Sequence, residues 1–262
     1  MNIITRYYLV KQLMKTFIKN NGFYFLGIIL LIIVWEVVSV ASNNAITFPS
    51  IGVILKSLGE IITIKNSYLV FLYTILRLLI SILASILIAS FLAYFARRSN
   101  VFKKIITPII TIIKTAPVVS FIIILIVLIG HDKSSIIVSF LITLPILYEG
   151  FYNAYNSINS DIKDEIKLLS NTNFYVIKNI FIPIMMPYII TSLLQSVSLG
   201  IKSLVMAELI TQPKYSIGRE LLQYRNSLDM GGIMAWTIIL IVVMIVFELL
   251  LNKYKNKIEN RI

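Results

Sequence analysis

A chain of 262 residues in which 58% are hydrophobic and only 14% charged is not composed like a water-soluble domain, where apolar usage is roughly half and charge roughly a quarter. With no cysteine at all, disulfides, thiolate metal ligands and a cysteine nucleophile are excluded. The net charge of +12 raises the question of an anionic partner, and the placement of the charges answers it.

Six apolar stretches, at 23–41, 69–96, 105–129, 135–151, 181–203 and 232–252, are long enough or nearly so to cross about 30 Å of hydrocarbon, the fourth being short. They predict an all-α, polytopic membrane protein embedded in a lipid bilayer. Its parts are a cytoplasmic segment 1–22, a first helix and outer loop 23–68, a transmembrane block 69–252 and a basic tail 253–262. With the N-terminus inside, the inner segments hold Arg6, Lys11, Lys15, Lys19, Arg97, Arg98, Lys103 and Lys104. They also hold Lys163, Lys167, Lys178, Lys253, Lys255, Lys257 and Arg261. The outer segments hold Lys56, Lys65, Lys133, Lys214, Arg219 and Arg225, so fifteen basic residues inside face six outside. That is the positive-inside bias: the basic excess reports topology, not nucleic-acid binding, and both termini are expected in the cytoplasm.

The first helix also has the outline of a signal peptide, with Ser39-Val40-Ala41 as a small-x-small site. A long basic region and the neighbours Trp35 and Glu36 favour an uncleaved helix. Phe48-Pro49-Ser50 signals a turn before a short amphipathic stretch, Val53–Ile64. In the second helix Ser81, Ser85, Ala89 and Ala93 recur every fourth position, a stripe that lets a neighbour approach within the subunit or across a dimer seam. Pro108 and Pro117 predict a kink or break in the third helix. The fourth carries Pro145 and is expected to end at Gly150, and the fifth opens with Pro183 and Pro187.

The loop 152–178 reads as two short helices. Ser160 is a fitting N-cap, Asp161 and Asp164 suit the positive end of a helix dipole, and Ile162, Ile166 and Leu169 form one apolar face. Such a face docks in a groove of another protein or lies flat on lipid. Ionisable residues inside the spans are expensive and mark candidate pathway or gate positions: Arg77, Lys114, Lys202 and Glu208, to which the buried-span Pro117 is added. Arg77 reads first as structural, bonding carbonyls in the bundle, while Lys114 either lines a path or snorkels. Glu36, Glu149 and Glu248 lie close enough to helix ends to snorkel or cap. His131, with Asp132 and Lys133, reads as a residue of a short outer loop. No phosphate-cradling P-loop, hydrolytic triad or metal cluster occurs, so no cofactor is expected in this chain and any energy source lies elsewhere.

Asp164-Glu165-Ile166, then Ser170, then Ile180, Ile182 and Pro183 keep the spacing of the EAA loop, by which permeases of bacterial ABC importers grip their ATPase. Asp164 stands at the Glu, Ser170 at the Gly, and Ile180-Phe181-Ile182-Pro183 at the closing Ile-x-Leu-Pro; Glu165 and Ile166 replace the two alanines. Tyr73-Thr74-Ile75-Leu76-Arg77 resembles the Ser-Leu-x-Arg that opens the family's transmembrane domain, and Pro108, Lys114, Pro117 and Gly130 resemble its third-helix region. Pro183–Ile189, Ala207-Glu208-Leu209 and Ser216-Ile217-Gly218 are similar to runs of the nitrate, sulfonate and taurine branch. The resemblance spans roughly 35–250. It implies a type I importer permease, not an enzyme, with Asp164, Glu165, Ile166, Leu169, Ser170, Ile180, Ile182 and Pro183 as coupling residues. The implied partners are an ATPase subunit that uses ATP, an extracytoplasmic solute-binding protein and a second permease copy. A self-sufficient secondary transporter and a non-transporting membrane scaffold are the competing readings. The transported solute is not legible.

Overall fold

The computed structural model describes residues 23, 26–42, 44, 46–158 and 174–259. Among them there is no strand. The first helix, α1 (Leu26–Ser42), is apolar and largely exposed. The Trp35 indole Nε1–H donates to the Pro49 carbonyl at 3.0 Å, and the Glu36 carboxylate accepts from the Ile51 amide at 3.1 Å. Glu36 therefore caps the start of α2 (Ile51–Thr63), alongside the N-cap Ser50, and does not snorkel. Ile54 and Ile61 form the buried face of α2, which packs on the last helix.

Three long helices carry the bundle: α3 (Lys65–Arg98), α6 (His131–Asn156) and α7 (Phe174–Thr211). The small-residue stripe of α3 is wholly buried against α6. Ser81 donates to the Ser139 hydroxyl at 2.9 Å, and Ser85 and Thr143 share a hydrogen bond of 2.7 Å. Ala89, Ala93 and Ala96 then pack on Leu147 and Phe151. The stripe is a seam within one subunit, since no part of it is left to face a second copy. Small residues let the backbones close up, and the hydroxyls satisfy each other where no water reaches.

Helices α6 and α7 meet as closely. A Cβ on Gly150 would collide with the Ser192 side chain, and one on Gly200 would press on Thr143 and Leu78. Gly150→Leu is therefore expected to force the helices apart and to cost about 1–3 kcal/mol or more. A thermal midpoint in detergent equal to that of the unsubstituted protein would contradict this packing.

The third apolar stretch is not one span. It is α4 (Asn100–Thr115) and α5 (Val118–Ile129), bent 98° from each other. Ala116, held extended as the residue before a proline, and Pro117, which cannot donate a backbone bond, end one helix and open the next. Pro108 sits inside α4 without breaking it.

His131 does not lie in a loop, as the sequence alone led us to expect: it opens α6 directly after Gly130, whose φ of 81° supplies the left-handed turn. Nor does α6 stop at Gly150; it runs to Asn156, with Pro145 accommodated inside it.

Two further helices follow among the described residues, α8 (Ile217–Asn226) and α9 (Met230–Glu259). Ile61, Val70, Ile217, Ala235 and Trp236 form the cluster that gathers α2, α3, α8 and α9 at one end of the bundle. Among the described residues four helices (α3, α6, α7 and the Met230–Lys253 part of α9) are long and apolar enough to cross a membrane, and the bent pair adds a fifth if it counts as one span. Six spans were expected from the sequence; among the described residues the third is broken at α4–α5, and the described part of α1 is short of a full crossing.

Candidate functional site

At the end of the bundle that carries α8, a carboxylate is buried completely. Glu208 accepts from Arg77 at 2.9 Å, from the Thr74 hydroxyl at 3.0 Å and from the Gly218 amide at 3.3 Å. The Ile217 amide donates to Thr74 at 3.0 Å. Arg77 also donates to the carbonyls of Tyr215 at 3.0 Å and Lys214 at 2.8 Å, as its sequence position led us to expect. Ser216 caps α8, so Glu208 and Thr74 satisfy the free amides of its first turn, where a negative charge is favoured by the helix dipole. Gly218 has to be glycine here, because a Cβ would run into the backbone of α7 at Glu208 and Leu209. The arrangement fixes how the chain turns back after α7, through Gln212 and Tyr215 at positive φ. His131 Nδ1 adds a contact of 3.1 Å to the Thr211 carbonyl.

The other candidate pathway residues do not join this cluster. Lys114, in the last turn of α4, bonds both oxygens of Glu149 on α6, at 2.8 and 3.0 Å, with both side chains about half exposed. It is paired and does not stand free. Pro117 stands at the bend between α4 and α5, where it opens α5. Lys202 lies exposed on α7 and makes no ion pair among the described residues. Beside Glu149 a cleft of about 420 Å³ opens between α6 and α7, floored by Gly150 and Ser192 and walled by Asn153, Thr191 and Gln195. Among the described residues no group of three or more metal-ligating side chains is present.

Of the coupling positions, Asp164, Glu165, Ile166, Leu169 and Ser170 lie outside the described residues, as do Ser160, Asp161 and Ile162. Ile180, Ile182 and Pro183 fall at the start of α7. There the helix widens to a π turn over Ile177–Phe181, closed by the Ile182 amide on the Ile177 carbonyl. The wider turn relieves the crowding that a proline ring at 183 would impose on the turn before it.

Residues 85–262 match the family of binding-protein-dependent transport system inner membrane components. The chain belongs to this family. A comparison with curated proteins finds no match. The chain is the membrane permease component of an ABC transporter, a multi-pass membrane protein and a transport subunit, which sets aside the secondary-transporter and scaffold readings. Membership implies an ATPase and a solute-binding protein as partners.

Several residues of the permease that matter to these sites were given no role of their own from the sequence. Thr74 stands one turn before Arg77, and Asn153 one turn after Glu149, so helical spacing carried both signals. Thr191 and Gln195 likewise share one face of α7 with Lys202, which the sequence did single out, at intervals of four and seven. Gly150, by contrast, carries no local mark of the neighbour it admits.

Proposed function

We propose that the permease forms one half of a solute path, paired with a second copy of itself, and imports a small solute delivered by an extracytoplasmic binding protein. One observation carries this reading: a single chain leaves a polar face exposed along α6 and α7, with Glu149, Asn153, Thr191, Gln195 and Lys202 on it. Polar and charged groups within a membrane span do not face lipid; they face water or protein. A second copy related by a two-fold axis would enclose this face, which supplies a path without any further chain. Pro117 and the Lys114–Glu149 pair lie beside it as gate elements, while Arg77 and Glu208 hold the end of the bundle.

ATP is bound and hydrolysed by the partner, which grips the loop 152–178 through Asp164, Glu165, Ile166, Leu169 and Ser170, with Ile180, Ile182 and Pro183 setting the loop against α7. The runs Pro183–Ile189 and Ala207-Glu208-Leu209 support the nitrate, sulfonate and taurine branch. One chain has one such loop, and two nucleotide sites each need one. Purification of the intact complex is expected to yield two permease chains for two ATPase chains; an active complex with a single permease chain would contradict the pairing.

Orientation follows from the basic residues, fifteen on the loop side against six on the other. On this reading both termini and the loops 97–104 and 152–178 face the cytoplasm. A single cysteine at 165 in this cysteine-free chain is expected to resist an impermeant thiol reagent in intact cells and to react once the membrane is opened. Labelling of intact cells would reverse the orientation.

A further inference from the structure

The cleft between α6 and α7 has the properties of a contact site for the transported solute. Its two walls carry the side-chain amides of Asn153 and Gln195, both exposed, and neither has a hydrogen-bond partner among the described residues. Each amide offers donors and an acceptor, and leaving them unpaired against hydrocarbon would be unfavourable. The depth of Gln195 follows from the Thr74–Glu208 hydrogen bond, which sets α3 and α7 level at one point. Gln195 lies thirteen residues along α7 from Glu208, about 20 Å of helix, and so within the span. At the floor Gly150 lets α6 come down onto the small Ser192 side chain of α7, and Ile146, Pro187 and Tyr188 complete the lining.

Charge at the cleft is nearly cancelled. Among the described residues the only carboxylate on its walls, Glu149, is held by Lys114 through both oxygens. Lys202, seven residues from Gln195 on the same helix face and about 10 Å away, then leaves a local surplus of one positive charge. We propose that this cleft is a water-filled segment of the path that recognises a small polar solute of no net positive charge by hydrogen bonds to Asn153 and Gln195. Lys202 disfavours cations there. This rests on the import reading above and deepens it.

The test uses single cysteines at 153, 195 and 87 in the permease expressed with its ATPase. Leu87 is 70% exposed and lies thirteen residues from Thr74, so it serves as a control at the depth of Gln195 on α3. The probes are two methanethiosulfonates of similar size, one bearing an ammonium and one a sulfonate, with rates normalised to a free thiol. Cysteines at 153 and 195 are expected to react, and the one at 87 to stay unmodified. At 195 the sulfonate reagent is expected to be favoured roughly 4-fold or more, as one charge at this distance demands. Lys202→Gln should abolish that preference. Cysteines at 153 and 195 no more reactive than that at 87, or a preference for the ammonium reagent, would overturn the proposal. A preference unchanged by Lys202→Gln would overturn the part assigned to that lysine. ATPase retained in each purification reports separately on the permease reading, so failure of the cleft and failure of the transporter assignment are distinguishable.

Discussion

Arg77→Leu is expected to destabilise the permease by about 3–5 kcal/mol, the loss typical when one partner of a buried ion pair is removed. The magnitude follows from what is left behind. Glu208 has no exposed side-chain surface, and the Arg77 side chain is only 12% exposed, so water cannot replace the guanidinium. Three groups depend on that guanidinium: the carboxylate, and the carbonyls of Lys214 and Tyr215 that hold the turn before α8. Arg77→Leu combined with Glu208→Leu is expected to lose less than the sum of the two single changes, because the uncompensated charge then disappears with its partner. Thermal unfolding of the purified protein in detergent reads both. A midpoint unmoved by Arg77→Leu would mean that the pair is not buried in the working protein, and strict additivity would mean that the two residues act independently.

Ser170→Arg is expected to reduce association with the ATPase by 10²-fold or more while leaving membrane insertion intact. On the coupling proposal, residue 170 stands at the turn where the loop has to approach its partner closely. A long cationic side chain there would be buried without a counter-charge, at a cost of several kcal/mol, and each 1.4 kcal/mol is about tenfold in affinity. Asp164→Lys should act in the same direction and more weakly, since it also places a positive charge at the start of a helix. Expression, ATPase recovery and uptake are measured together for both variants. Normal expression with full ATPase recovery and undiminished uptake in Ser170→Arg would remove the loop from its coupling role.

The reach of the sequence differed from site to site for identifiable reasons. The helical class, the placement of the long apolar segments and the role of Arg77 as a carbonyl donor were legible, because length, hydropathy and an isolated charge within a span are properties of the local chain. The start of α2 was half legible: Phe48-Pro49-Ser50 signalled a turn there, whereas the cap from Glu36 comes from fifteen residues away.

By itself the sequence determined that this chain lives in a membrane as a bundle of helices, that it carries no nucleotide-binding P-loop, and that its small-residue stripe on α3 demands a close neighbour. Only the tertiary structure decided which neighbour that is. It chose α6 because Ser139 and Thr143 answer Ser81 and Ser85 with hydroxyls at matching height. It also decided that Pro117 breaks its span where Pro108 does not: at Pro117 the preceding residue is extended, whereas α4 continues through Pro108. Lys114 found Glu149, and Glu208 found Thr74 and Gly218, across 35, 134 and 10 positions of sequence. Pairings of that kind depend on how helices cross, which is set by packing and by the need to satisfy buried polar groups, and no local pattern records it.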